Sequence, residues 1–246
     1  MRTRAVVSQK QRVDGQPGFV LHTHPWRETS LIVEVFSRDY GRVALVAKGA
    51  RRPMSALRGV IMAFQPLLLD WSGGGEVKTL VRAERCGGQP LLVGRGLMCG
   101  YYLNELLVRL TAREDPHPVL FDAYARAIAC LGRGEPQEPI LRRFELALLR
   151  ELGYGIGLAA EGDSGEPLDP RTDYVYIIER GPVPVPEGAG DAAATSGQTL
   201  LDMEHDDFSR PETLAQSKAL LRMLINHYLG GQTLQSRRVL KELLEL

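Results

Sequence analysis

Leu31–Lys48 reads LIVEVFSRDYGRVALVAK, two short apolar runs on either side of Asp39-Tyr40-Gly41. Runs this short, rich in Val, Leu, Ile and Phe and interrupted by turn residues, predict two strands joined by a turn. In Val43–Lys48, Val43, Leu45 and Ala47 face one way, while Ala44, Val46 and Lys48 face the other. That period of two suits a barrel wall with one wet face. Working outward, Phe19–His22 precedes the pair, and Leu67–Trp71 and Val77–Arg82 follow it, the last two separated by Gly73-Gly74-Gly75. In Glu76–Arg82, Val77, Thr79 and Val81 share one side, and Glu76, Lys78 and Arg82 share the other with Leu80. Five strands within residues 1–85, with a break at Arg51–Phe64, predict a small closed barrel of the OB type.

After Gly87-Gly88-Gln89-Pro90 the period changes from strand-like to helical. Cys99, Leu103, Leu106, Leu107 and Leu110 fall on one helical face, and Leu120, Tyr124, Ala127, Ile128 and Leu131 on another. A third helix is predicted over Ile140–Leu152, aligning Leu141, Phe144, Leu148 and Leu152, with Gly153 to end it. Helices so apolar, joined by short links, predict a bundle. Residues 155–210 are dominated by Pro, Gly, Ala and Asp around one aromatic strand, Tyr174–Ile178, and Gly181–Thr199 reads as a surface loop. Ser209-Arg210-Pro211-Glu212 has the form of a capping box opening a helix that runs to Gly230-Gly231, and a last helix spans about Leu234–Leu244. The fold class is therefore α+β: a barrel domain over 1–85, then a mainly helical domain over 90–246 with an irregular insertion at 155–210.

The net charge of zero hides an asymmetry. Residues 1–85 hold 14 Lys and Arg against 7 Asp and Glu, and the other 161 residues hold 16 against 23. A basic segment beside an acidic one points to a polyanionic partner for the first. No apolar run approaches the ~20 residues that span a bilayer, and no apolar signal core opens the chain, so no membrane association is expected. Three cysteines (Cys86, Cys99, Cys130) are too few for a disulfide framework, fit as small core residues, and suit a reducing cytoplasm.

Catalytic and cofactor signatures are missing from the sequence. Gly73–Thr79 lacks the Gly-Lys step of a phosphate loop, since Val77 precedes Lys78, and Gly94-Arg95-Gly96 has Cys99 where a dinucleotide fingerprint needs Gly. His22 and His24 share a strand face without further metal ligands, and read as exposed strand histidines. Glu204, Asp206 and Asp207 form an acidic cluster of the kind that caps and solvates a helix end. No enzyme activity, metal or cofactor is expected.

Val20–Gly59 resembles the N-terminal barrel of the RecO family of DNA repair and recombination proteins. The resemblance rests on Trp26-Arg27-Glu28-Thr29-Ser30, Phe36, Tyr40-Gly41-Arg42 and Val46-Ala47-Lys48-Gly49-Ala50-Arg51-Arg52. It continues through Phe64-Gln65-Pro66-Leu67, Gly75–Leu80, Tyr101–Leu107, Leu141–Gly155, Gly165–Leu168 and Tyr228-Leu229-Gly230. It implies an OB barrel followed by a helical domain in a non-enzymatic, cytoplasmic, nucleoid-associated protein. Such a protein binds single- and double-stranded DNA and anneals complementary strands. With RecR, and often RecF, it loads RecA onto DNA coated by single-strand-binding protein. Some members carry a four-cysteine zinc site after the Leu-Gly-Tyr segment. Ile156–Thr172 has no cysteine, so zinc is not expected here.

Within that frame Lys48, Arg51 and Arg52 are the first candidates for phosphate contact, and Arg27, Arg42, Arg58 and Lys78 extend the same positive surface. Trp26 and Tyr40 are candidate stacking platforms for unpaired bases, with Trp26 divided between that role and the core. The resemblance also implies recruitment by the acidic, Phe-ended C-terminal tail of single-strand-binding protein, which needs an apolar slot and a cation. Leu141, Phe144 and Leu148 on one helical face, beside Arg142 and Arg143, offer both types of group. Arg142 has Glu138 and Glu145 as alternative partners. Arg143 has no carboxylate at either position and is the better candidate. Against these readings stand a barrel that binds only protein and a small DNA-processing enzyme.

Overall fold

The computed structural model describes residues 12–154, 157–186 and 194–244. Five strands form the N-terminal sheet: β1 (Arg12–Trp26), β2 (Ser30–Ser37), β3 (Gly41–Ala47), β4 (Pro66–Ser72) and β5 (Val77–Arg85). They close into a barrel in the order β1-β2-β3-β5-β4, with β3 and β5 parallel and the other pairs antiparallel. That is the OB arrangement the alternation predicts. β1 is far longer than the apolar run Phe19–His22, because its polar first half pairs with β4 while its second half pairs with β2. Backbone pairing demands no apolar side chains, so Arg12–Gly18 carries no strand signal.

The barrel interior is filled by alternate residues: Val33 and Val35 from β2, Val43, Leu45 and Ala47 from β3, Leu67, Leu69 and Trp71 from β4. In β5, Leu80 joins this core and Lys78 lies on the same side, while Val77 and Val81 are exposed. Pairing with β3 (Leu45 opposite Lys78, Val46 opposite Thr79) fixes that choice.

Two helices, α1 (Gly94–Leu110) and α2 (Pro118–Gly132), belong to the same compact unit as the barrel, which runs to Arg133. Phe19 and Phe36, pointing outward from β1 and β2, meet Phe121 and Tyr124 of α2 at ring centroid distances of 5.1–6.1 Å. Each such aromatic pair contributes about 0.5–1.5 kcal/mol beyond its burial. Asn104 of α1 donates to the Leu21 carbonyl at 2.9 Å and accepts from the Tyr124 hydroxyl at 2.5 Å, so one buried amide joins β1, α1 and α2. The α1–α2 connection presses on the start of β3. Gly41 has φ +62°, and a Cβ there would lie 1.9 Å from the Asp115 carbonyl oxygen, so only glycine fits the turn.

The second compact unit starts at Gly134. It holds α3 (Gln137–Glu151), β6 (Asp173–Ile177), β7 (Gly181–Pro184), β8 (Thr195–Ser196), α4 (Gly197–Glu204), α5 (Pro211–Tyr228) and α6 (Gln235–Leu244). The strands form an antiparallel sheet in the order β7-β6-β8. Three sequence expectations change, two in this unit and one, at Cys86, in the first. Gly181–Thr199 is not one loop: its ends form β7, β8 and the first turn of α4, and residues 187–193 lie outside the described residues. Ser196, whose hydroxyl accepts the Thr199 N–H at 3.2 Å, caps α4. Ser209 does not cap α5: Arg210 is the flanking residue, and the Ser209 N–H goes to the Asp207 carboxylate at 2.9 Å. Hydrogen bonds from the Ser209 hydroxyl, and second from its backbone N–H, hold the Asp207 carboxyl below its ordinary pKa. Cys86 is exposed just past β5 rather than a core residue, with Cys99 and Cys130 half-buried.

Candidate nucleic-acid interface

The turn after β3 gathers the cations. Gly49 adopts φ +69°, and Arg52 N–H returns to its carbonyl at 3.1 Å, so Lys48, Arg51 and Arg52 splay around one tight turn. This turn sits on the β1–β2 connection: Arg51 N–H donates to the Thr29 carbonyl at 2.9 Å, and its guanidinium to the Arg27 carbonyl at 3.2 Å. Turn hydrogen bonds then run from Ser55 to Arg52 and from Arg58 to Ser55, carrying the chain into a short 3-10 turn, Ala56–Gly59. Leu57, Val60 and Ile61 on this segment pack against the barrel core. Arg27, Lys48, Arg51, Arg52 and Arg58 are all exposed, and none has an ion-pair partner among the described residues. Glu28 is the one carboxylate in the β1–β2 turn. Beside it Trp26 is 43 % exposed, with the Arg27 guanidinium 6.0 Å from its ring centre, so its indole belongs to the surface and not to the core.

Arg42, Lys78 and Tyr40 do not belong to this surface; they lie at the other end of β3. Arg42 donates to the Thr111 carbonyl at 3.0 Å and faces Glu34 at 3.6 Å, and burial draws its guanidinium below its ordinary pKa. Arg113 from the α1–α2 connection closes on the same buried Glu34. Lys78 is buried and ion-paired to Glu114. Tyr40 meets Trp71 edge to face at 5.3 Å and, with Lys78 and Glu114, lines a cavity of about 130 Å³. These two cations therefore tie the α1–α2 connection to the barrel. Strand alternation shows which side of a strand a residue occupies but not what docks on that side.

The proposed slot on α3 is also corrected. Phe144 and Leu148 are buried in the core of their unit, so they present no groove, and Leu141 is only half-buried. Arg142 is buried too, paired with Glu145 at 2.7 Å. Arg143 is exposed, but it pairs with Asp206 at 3.1 Å and lies 5.6 Å from the centre of the Phe208 ring. The acidic cluster supplies partners across the fold: Glu204 takes Arg150 at 2.7 Å as Asp206 takes Arg143.

Sequence reasoning set aside His22 and His24, which lie exposed on the outer face of β1 with ring centroids 4.2 Å apart. Their alternation with Trp26 was the available signal. Among the described residues no group of three or more His, Cys, Asp or Glu could hold a metal ion, and no helix is long and apolar enough to cross a membrane.

A closed OB barrel followed by a helical half, with cations unpaired among the described residues and an indole at one barrel end, defines a class of two-part OB proteins. Residues 15–88 match the family model described as Recombination protein O N terminal, and residues 94–238 the one described as Recombination protein O C terminal. Full-length similarity agrees. The chain is 78 % identical to a DNA repair protein RecO of Aromatoleum aromaticum over 98 % of this chain and 100 % of that one. It is 70 % identical to a DNA repair protein RecO of an Azoarcus species, over 96 % and 99 %, and 54 % identical to that of Dechloromonas aromatica, over 96 % and 99 %. The chain belongs to the RecO family of DNA repair proteins.

Proposed function

We propose that the protein binds single- and double-stranded DNA through the β1–β2 and β3 end of its barrel. In this reading it anneals complementary strands and, with RecR and often RecF, loads RecA onto DNA coated by single-strand-binding protein. The observation that carries this is the set Arg27, Lys48, Arg51, Arg52 and Arg58, exposed at one barrel end with no ion-pair partner among the described residues. A solvated structural surface normally intersperses both signs; cations left unanswered beside an exposed Trp26 suit a phosphate chain with unpaired bases. Contacts of this kind track the backbone and carry no base sequence, as annealing of arbitrary strands requires. The barrel reads no single sequence, and the function needs none.

Annealing is the direct test. Complementary strands pre-coated with single-strand-binding protein are mixed with and without the chain, and duplex formation is followed by fluorescence quenching. Acceleration by the chain is expected. No acceleration, with DNA binding intact, would remove annealing from the function, and cleavage of the DNA in the presence of Mg²⁺ would replace it with an enzyme.

A further inference from the structure

The second half of β1 bears His22, His24 and Trp26 at alternate positions, all exposed on the outer face of the barrel. A rise of about 3.4 Å per residue sets successive members of this row about 7 Å apart along the strand. The two imidazoles meet edge to face at 4.2 Å, and Trp26 carries the Arg27 guanidinium over its ring. Their cross-strand partners on β2 are Glu34, Ile32 and Ser30, and Val46 of β3 lies opposite Ile32. The row thus begins at the cationic turn and runs along β1 beside a half-buried apolar strip, Ile32 and Val46.

We propose that His22 and His24 are DNA-contacting residues that extend the cationic end along β1, and that His22 takes up a proton when single-stranded DNA binds. The proposal rests on the barrel-end reading of DNA binding given above. A neutral imidazole offers a flat face to an unpaired base, and a protonated one adds a charge and donates both N–H groups to phosphate oxygen. No other side chain changes between these two states near physiological pH without a strongly perturbed pKa.

The surroundings keep the pair ready for an outside anion. On its own strand His22 faces His24, and each imidazolium opposes the other. On β2 it faces Glu34, which is already held by Arg113 and Arg42. α1 touches β1 through the uncharged Asn104, and the α1 charges Glu105 and Arg109 pair with each other at 3.1 Å. Partial burial, and next the charge of His24, lower the pKa of His22 from its usual value, with Glu34 acting weakly in the opposite direction. A phosphate placed over the pair supplies the missing counter-charge and raises the pKa of His22 in the complex. The sign follows by linkage: binding takes up a proton on His22 between its lowered free value and its raised bound value. Affinity therefore rises as pH falls through the bound pKa, and the gain is complete below the free one. That proton contributes at most tenfold per pH unit within that window.

The test compares the parent chain with His22→Gln/His24→Gln, both exposed strand positions whose exchange leaves the barrel core untouched. Binding of rhodamine-labelled oligo-dT is followed by anisotropy at constant ionic strength from pH 7.5 to 5.5. The parent is expected to tighten at least threefold and the double variant to lose most of that gain. Calorimetry in buffers of different ionisation enthalpy is expected to show proton uptake by the parent on binding oligo-dT and markedly less by the variant. A parent that binds oligo-dT without gain or uptake, or a variant that keeps both, would overturn the role of the histidines while leaving the barrel-end reading in place. A parent that does not bind oligo-dT at low salt would overturn both.

Discussion

Replacing Lys48, Arg51 and Arg52 together with alanine is expected to weaken binding to every DNA sequence alike. Each phosphate contact contributes ~0.7–0.9 to the slope of log K against log[salt], so loss of three flattens it by roughly two units. If the parent and variant curves converge near 1 M salt, that slope change corresponds to about three orders of magnitude at 50 mM. The side chains concerned are exposed, so thermal stability should barely move. The matching exchange at the other barrel end, Arg42→Ala with Lys78→Ala, should do the opposite. It breaks the ion pairs with Glu34 and Glu114 and lowers stability. Filter binding or anisotropy over a salt series distinguishes the two. An unchanged slope in the triple variant would place the DNA surface elsewhere.

Arg142→Ala is expected to be among the most destabilising single changes in the second unit. The Arg142 and Glu145 side chains are 9 % and 2 % exposed and lie 2.7 Å apart. Removing the guanidinium leaves a carboxylate buried without its cation, which costs ~3–5 kcal/mol. Exchanging both groups for apolar ones of similar volume, Arg142→Met with Glu145→Leu, avoids that penalty and should recover most of the loss. Urea denaturation of the three proteins measures this directly. A loss under about 1 kcal/mol in Arg142→Ala would contradict the pair as a core element.

The barrel was legible because its walls obey strict alternation. Val43, Leu45 and Ala47 face the core as their spacing predicts, and the turn at Asp39-Tyr40-Gly41 lies where the β2–β3 connection falls. Helices α1, α2 and α3 were legible for the same reason at the helical period. β7, β8 and α4 were not, since Pro, Gly and Ala between 181 and 199 hide elements held by backbone pairing and by one serine cap at Ser196. In the site, the cations after β3 were readable as a cluster in sequence, and the structure keeps Lys48, Arg51 and Arg52 exposed on one turn. Arg42 and Lys78 were misplaced because Thr111 and Glu114, which hold them, come from a remote segment that strand parity does not reveal. Phe144 and Leu148 failed as a slot for a related reason: an apolar helical face is as much a core face as a docking face, and here it is the core.

Ultraviolet crosslinking of bromouracil-substituted oligo-dT to the chain, with the adducts located by peptide sequencing, examines the barrel end most directly. Adducts are expected at Trp26 and on the neighbouring segments 22–27 and 48–58, and they should fade as salt is raised. Adducts confined to Tyr40 and the opposite barrel end, or to residues beyond Gly134, would contradict a DNA site at the β1–β2 and β3 end.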